Sequence, residues 1–219
     1  MKIYRIVLSW LVTLLLPVAL SFLGMRLVLT HTFLQVEYHL PGFPADPYGF
    51  SLSDRLHWST IAWDYELNNA GISYLGDLTF PDGSPLYTQP ELSHMLDVKN
   101  VLKPGMIAGY STWVVILAIG LWAGMGKWWS EYLRGIRRGG WLTIGLVILI
   151  GVFAATNFWT FFADFHGLFF TGNSWEFAYS DTLIRLFPLM LWEDVFLFIG
   201  LLDVAAGLAL GLAVRPKAS

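Results

Sequence analysis

Four stretches of this chain are long and apolar enough to cross a lipid bilayer: Ile3–Leu29, Ile107–Met125, Trp141–Phe162 and Val195–Val214. A bilayer core is spanned by roughly 20 helical residues, because backbone N–H and C=O groups inside it must be paired within the segment. Met four times in 219 residues, that demand leaves few folds open. Composition agrees. Hydrophobic residues make up 56% of the chain, charged residues 13%, and mean hydropathy is +0.58, whereas a soluble domain carries about a quarter charged residues. The first stretch is too long for a cleaved leader and lacks a small-residue cleavage site after it, so it reads as a retained anchor.

Lys and Arg set the orientation. Lys2 and Arg5 precede the first span, Lys127, Arg134, Arg137 and Arg138 separate the second from the third, and Arg215 and Lys217 end the chain. Four crossings put all three places on one side, the cytoplasmic one. The expected architecture is a mainly α-helical integral membrane protein with both termini cytoplasmic. Its transmembrane helices lie within 1–30, 106–126, 141–162 and 188–214, a basic cytoplasmic loop covers 127–140, and a tail covers 215–219. A small mixed helix and loop domain over 31–105 and an aromatic-rich interfacial segment over 163–187 face outward. The net charge of −3 offers no basic footprint for nucleic acid. With no cysteine, disulfides, thiolate nucleophiles and dithiol redox chemistry are excluded.

Within 31–105, the prolines and glycines of Tyr38–Gly49 forbid a helix. Ser53 reads as an N-cap with Asp54 in the first turn, and Leu56, Thr60, Trp63 and Leu67 share one helical face. Asn68-Asn-Ala-Gly71 ends that helix, and Pro81-Asp-Gly83 marks the turn of a small hairpin. A further helix opens at Pro90 and Glu91 and is expected to stop at Pro104-Gly105.

Two histidines lie in short polar motifs at what this topology makes one membrane face. His94 sits in Glu91-Leu-Ser-His-Met-Leu-Asp-Val-Lys99 and His166 in Asp164-Phe-His-Gly167. An ionisable group held against a membrane is costly and marks a functional site by default. Two that converge suggest acid/base chemistry on a lipid or lipid-bearing substrate. Asp97, three residues after His94, falls on its helical face and is placed to accept from its ring; Lys99 points elsewhere. Around His166 the sequence is crowded with aromatics suited to the headgroup level, and Phe169-Phe170 is placed to dip into the leaflet.

His31, His39 and His57 lack such surroundings and read as structural. Asp203, deep in the last span, is either a proton-relay group or a helix–helix hydrogen-bond partner, with Asn157 at comparable depth. Arg26, at the outer end of the first span, suits lipid phosphates or an anionic headgroup. Two His with Asp97 and Asp164 would suffice in number for zinc, but no His-Glu-x-x-His pair is present and no metal is expected.

The order Tyr48-Gly-Phe-Ser51, then Glu91-Leu-Ser-His-Met-Leu-Asp-Val-Lys99, then Phe165-His-Gly-Leu-Phe-Phe170 resembles the bacterial lipoprotein intramolecular transacylases. So does Trp175-Glu-Phe-Ala-Tyr-Ser-Asp-Thr-Leu-Ile184 followed by Leu186-Phe-Pro188 and Trp192. The resemblance covers nearly the whole chain. It implies a multi-pass protein of the bacterial cytoplasmic membrane whose active site opens on the extracytoplasmic side. It implies movement of the sn-2 acyl chain of a diacylglyceryl-modified lipoprotein to its N-terminal cysteine amine, giving the lyso-form. It implies His94 and His166 as catalytic residues; their neighbours Asp97, Lys99 and Asp164 are read from the sequence as supporting them. Arg26, Phe169, Phe170 and Trp175 would position lipid. Ester-to-amide exchange runs downhill, so no cofactor is expected; the partners are the lipoprotein substrate and membrane lipids. Two other classes remain open at this stage: another lipid-active hydrolase or intermolecular acyltransferase, and a non-catalytic membrane scaffold or sensor.

Overall fold

A computed structural model describes residues 3–214. Lys2, Arg215 and Lys217, used above for orientation, lie outside the described residues. Four helices are long and apolar enough to span a membrane: α1 (Ile3–Val28), α5 (Gln89–Met125), α6 (Trp129–Thr156) and α9 (Leu189–Ala213). Between them lie α2 (His31–Glu37), α3 (Leu52–Leu67), α4 (Ser73–Gly76), α7 (Phe158–Gly167) and α8 (Thr182–Leu186). The chain divides into two compact units.

The first unit comprises the described parts of Met1–Arg26, Met106–Asn157 and Leu197–Ser219. Large apolar side chains such as Leu121, Leu149 and Leu201 stand outward, as lipid requires, while Val12, Leu16, Ile116, Ile119 and Trp128 pack inward. In lipid, helices are held together by close approach at small residues and by polar contacts rather than by water expulsion. Both devices are present. Gly140 and Gly207 bring α6 and α9 so close that a Cβ on Gly140 would meet the Gly207 carbonyl at 2.7 Å. On α1, the Ser9 hydroxyl donates to the Glu131 carbonyl at 2.6 Å and Thr13 donates to the Gly135 carbonyl at 3.2 Å. Asp203 is buried and accepts from the Ser21 hydroxyl at 2.5 Å. The helix–helix bond expected of it therefore exists, with Ser21 rather than Asn157 as partner.

The second unit comprises Leu27–Gly105 and Phe158–Phe196. Its core gathers Ala62 and Tyr65 from α3, Leu75 from α4, Leu92 and Met95 from the start of α5, and Leu183 and Leu186 from α8. Helix α3 is capped by Ser51, not Ser53. The Ser51 hydroxyl accepts from the Asp54 amide at 3.1 Å, and the Asp54 carboxylate accepts from the Ser51 amide at 2.9 Å. Of the face expected on α3, Trp63 is buried, whereas Leu56 and Thr60 are half-buried and Leu67 is exposed. Arg55, Ser59, Ala62 and Glu66 are inside, because this core takes polar side chains that hydropathy alone sends to the surface. The hairpin reduces to a single bridge, Thr79 to Pro85, around the turn at Gly83, whose φ of +85° favours glycine.

Two boundaries differ from expectation. Helix α5 does not stop at Pro104; it runs on to Met125 with the proline inside it. Proline removes one backbone bond, and both Pro104 and Asn100, whose carbonyl loses that bond, are exposed. The segment 127–140, expected as a loop, is helical from Trp129. The third span ends at Thr156, and an extended Asn157 (φ −163°, ψ 100°) separates it from α7.

Candidate active site

The imidazoles of His94 and His166 are neighbours within the second unit, with ring centroids 6.4 Å apart and planes tilted by 26°. No hydrogen bond links them. His94 is carried by α5, whose start is fixed by a capping box: the Glu91 carboxylate accepts from the Thr88 amide at 2.7 Å and from its hydroxyl at 2.9 Å. The other Glu91 oxygen accepts from the Leu183 amide at 2.7 Å, so this fully buried carboxylate ties the first turn of α5 to α8. Charge alone gives Glu91 no more than a favourable place at a helix N-terminus. The Thr88-x-x-Glu91 spacing was the available signal.

His166 is carried by α7, and its Nδ1 lies 2.9 Å from the carbonyl of Phe162, one turn earlier. A carbonyl only accepts, so Nδ1 holds the proton and Nε2 keeps its lone pair. Aromatic rings enclose the pair. Phe162 lies 4.1 Å and Trp175 4.7 Å from His166, Phe170 lies 5.0 Å and Phe177 5.5 Å from His94. In these apolar surroundings the charged form is disfavoured. Burial, with His166 alongside, pushes His94 down to about 4. Burial likewise lowers His166, partly offset by its bond to Phe162. Both shifts favour the neutral ring, and His94 Nδ1 is sealed from solvent with no partner.

The supporting residues are placed differently from one another. Asp97 is half-buried on the His94 face, but no hydrogen bond joins the two among the described residues; the His94 ring is turned into its aromatic neighbours. Lys99 is buried and occupied. Its ammonium donates to Asn68 Oδ1 at 3.1 Å and to the Ala70 carbonyl at 2.8 Å, and stands 3.6 Å over the Tyr65 ring. It therefore tethers α5 to the chain leaving α3. Asp164 is exposed, two residues from His166 and so around the helix from it. Phe170 and Trp175 belong to the enclosure, whereas Phe169 is outward, touching Phe165 and Phe170. Arg26 ends α1 in the first unit, half-buried, with Nη1 unpartnered. The other histidines lie in simpler settings: His31 meets Asp64 at 2.7 Å on an exposed face, and the His39 ring bonds the Gln35 carbonyl at 2.6 Å. Among the described residues, no three His, Asp or Glu side chains are grouped as a metal ion needs.

Paired neutral imidazoles in a greasy enclosure can move a proton between two groups held between them, with little competition from water. Comparison with known proteins bears on what those groups are. The family model of the lipoprotein intramolecular transacylase Lit matches residues 6–192. An uncharacterised protein of Aquifex aeolicus is 28% identical over 186 residues, 85% of this chain and 83% of that one. The membrane-integral lipoprotein intramolecular transacylase Lit of Bacillus cereus superposes with a TM-score of 0.66 at 20% identity, covering 96% of this chain and 94% of its own. A point mutant of that protein gives 0.64 at 16% identity, covering 97% and 91%.

Proposed function

The chain belongs to the lipoprotein intramolecular transacylase family, and we propose that it moves the sn-2 acyl chain of a diacylglyceryl-modified lipoprotein to that protein's N-terminal amine. The observation that carries this reading is the His94–His166 pair, 6.4 Å apart within one aromatic enclosure. The α-amino nucleophile has an ordinary pKa near 8, and a neutral imidazole is a suitable base for it.

His166 is the base. Its Nδ1–H is held by the Phe162 carbonyl, which leaves the Nε2 lone pair free to take a proton. The amine nitrogen attacks the ester carbonyl carbon, a C–N bond forms, and the amine proton passes to Nε2. His94 in its Nε2–H tautomer donates to the oxygen that becomes negative. Collapse breaks the ester C–O bond, and the proton returns from His166 to the departing sn-2 oxygen. Atoms balance with no water consumed and no cofactor. Both reacting groups ride on one molecule, so holding that molecule folded supplies much of the rate. Asp97 and Asp164 act through longer-range charge on the two rings, and Phe169 serves lipid rather than the histidines. The site opens on the extracytoplasmic face, because Lys127, Arg134, Arg137 and Arg138 between the second and third spans mark the opposite side as cytoplasmic.

Mass spectrometry of a reporter lipoprotein tests this. Membranes with the wild type yield the lyso-form, N-acylated with a free sn-2 hydroxyl. His94→Ala and His166→Ala leave the diacylglyceryl form intact. Undiminished lyso-form from both variants overturns the assignment, and release of free fatty acid instead identifies a hydrolase.

A further inference from the structure

Away from the histidines, the second unit contains a cavity of about 230 Å³ walled by Tyr38, Phe43, Phe50 and Leu52. Arg55 lines it, and the one carboxylate whose charge reaches it, Asp46, is shared with Arg185. Arg55 is 3% exposed, yet no carboxylate pairs with it among the described residues. Asp46 also lines the cavity but is already taken: it accepts from Arg185 Nη2 at 3.0 Å and from the Phe50 amide at 2.7 Å, with its side chain wholly buried. Of the five N–H donors of Arg55, one is used, from Nη1 to the Pro44 carbonyl at 2.6 Å. Nε is buried with no partner. The Tyr38 and Phe43 rings, 5.0 and 4.9 Å from the guanidinium, hold it in place without neutralising it. A buried cation lacking a counter-ion is strongly unfavourable. Asp46 between Arg55 and Arg185 leaves this group with one positive charge in excess.

We propose that the Arg55 cavity binds a phosphodiester monoanion of the kind carried by glycerophospholipid headgroups. The site carries a single uncompensated positive charge, which a monoanion balances one to one. A phosphodiester presents two unesterified oxygens to the planar fork of a guanidinium. Its two carbon substituents then face the aromatic and aliphatic walls, which a bare phosphate dianion would leave unused. This site is independent of the transacylation reading, since it shares no residue with the histidine enclosure.

The experiment is calorimetric titration of the delipidated, detergent-solubilised full chain. The probes are glycerophosphoglycerol, a water-soluble phosphodiester, and inorganic phosphate. The diester binds the wild type with one-to-one stoichiometry. Its affinity falls at least tenfold in Arg55→Gln and in Ala45→Trp, which blocks the cavity at an exposed lining position without touching the charge. Should Arg55→Gln lose its helical circular dichroism, Ala45→Trp decides alone. Absence of diester binding to the wild type, or equal binding by folded variants, overturns the proposal. Inorganic phosphate binding as tightly as the diester overturns it too, in favour of a free-phosphate site.

Discussion

Glu91 Oε1 accepts the Leu183 amide proton across 2.7 Å, while Oε2 closes the capping box of the helix that carries His94. One buried carboxylate thus sets both where α5 begins and where the chain returning from His166 joins it. Glu91→Ala strands the Leu183 and Thr88 amides, each at a cost of about 1–3 kcal/mol when buried without a partner. The expected result is a loss of about 3 kcal/mol in denaturant unfolding together with loss of transacylation. His94→Ala, which strands no backbone donor, removes activity with little change in unfolding. Equal stability of the two variants would contradict the tethering role of Glu91.

His94 makes the fold sensitive to acid. Its folded state gives up the proton near 4, while the unfolded chain holds it up to the ordinary histidine value of 6.5. Between those pH values the unfolded state binds more protons, so stability falls as pH drops from about 6.5 towards 4. His94→Gln therefore lessens acid sensitivity in that window and changes little above it. Imidazole C2 shifts from ring-labelled histidine provide the direct check: His94 does not titrate between pH 5.5 and 8, whereas an ordinary histidine does.

Glu66 reverses that sign. It is buried in α3 with both carboxylate oxygens unpartnered, and burial, only partly opposed by Lys99 and Lys103, lifts it to about 8. The folded state keeps a proton that the unfolded state releases near 4.5. Stability therefore declines as pH rises from about 4.5 through 8. Glu66→Gln, which imitates the protonated side chain, raises the melting temperature at pH 9 and leaves it unchanged at pH 4. A lowered melting temperature at pH 9 would show instead that the ionised carboxylate is held by its lysines.

The spans were legible because length and hydropathy fix them without reference to neighbours: α1 and α9 lie close to the apolar runs. The histidines were legible because ionisable groups are rare beside such runs. What surrounds them was not. Phe162 and Trp175 can be guessed near His166 in sequence, but the approach of His94 to His166 joins residues 72 apart, and no periodicity encodes it. Asp97 shows the limit of helical spacing, which gives a shared face and not a ring's rotamer. Arg55, Ser59 and Glu66 show the limit of hydropathy, since these polar side chains are buried together with Trp63 on α3. Pro104 shows that a proline can lie inside a helix instead of ending it.

The glycines of α6 carry information that hydropathy ignores. Gly135 and Gly139 are four apart on one face, and Gly207 and Gly211 repeat the spacing on α9, the pattern by which membrane helices approach closely. At Gly140 an added Cβ would lie 2.7 Å from the Gly207 carbonyl and 3.1 Å from the Gly211 amide. Both are backbone atoms, so no side chain can swing aside and the helices themselves must separate. Gly140→Val is therefore expected to lower the melting temperature of the detergent-solubilised protein by several degrees. Gly145→Val, on the same helix with open space at its Cβ, serves as the control. Equal melting of both variants would mean that the α6–α9 contact contributes little to holding the bundle together.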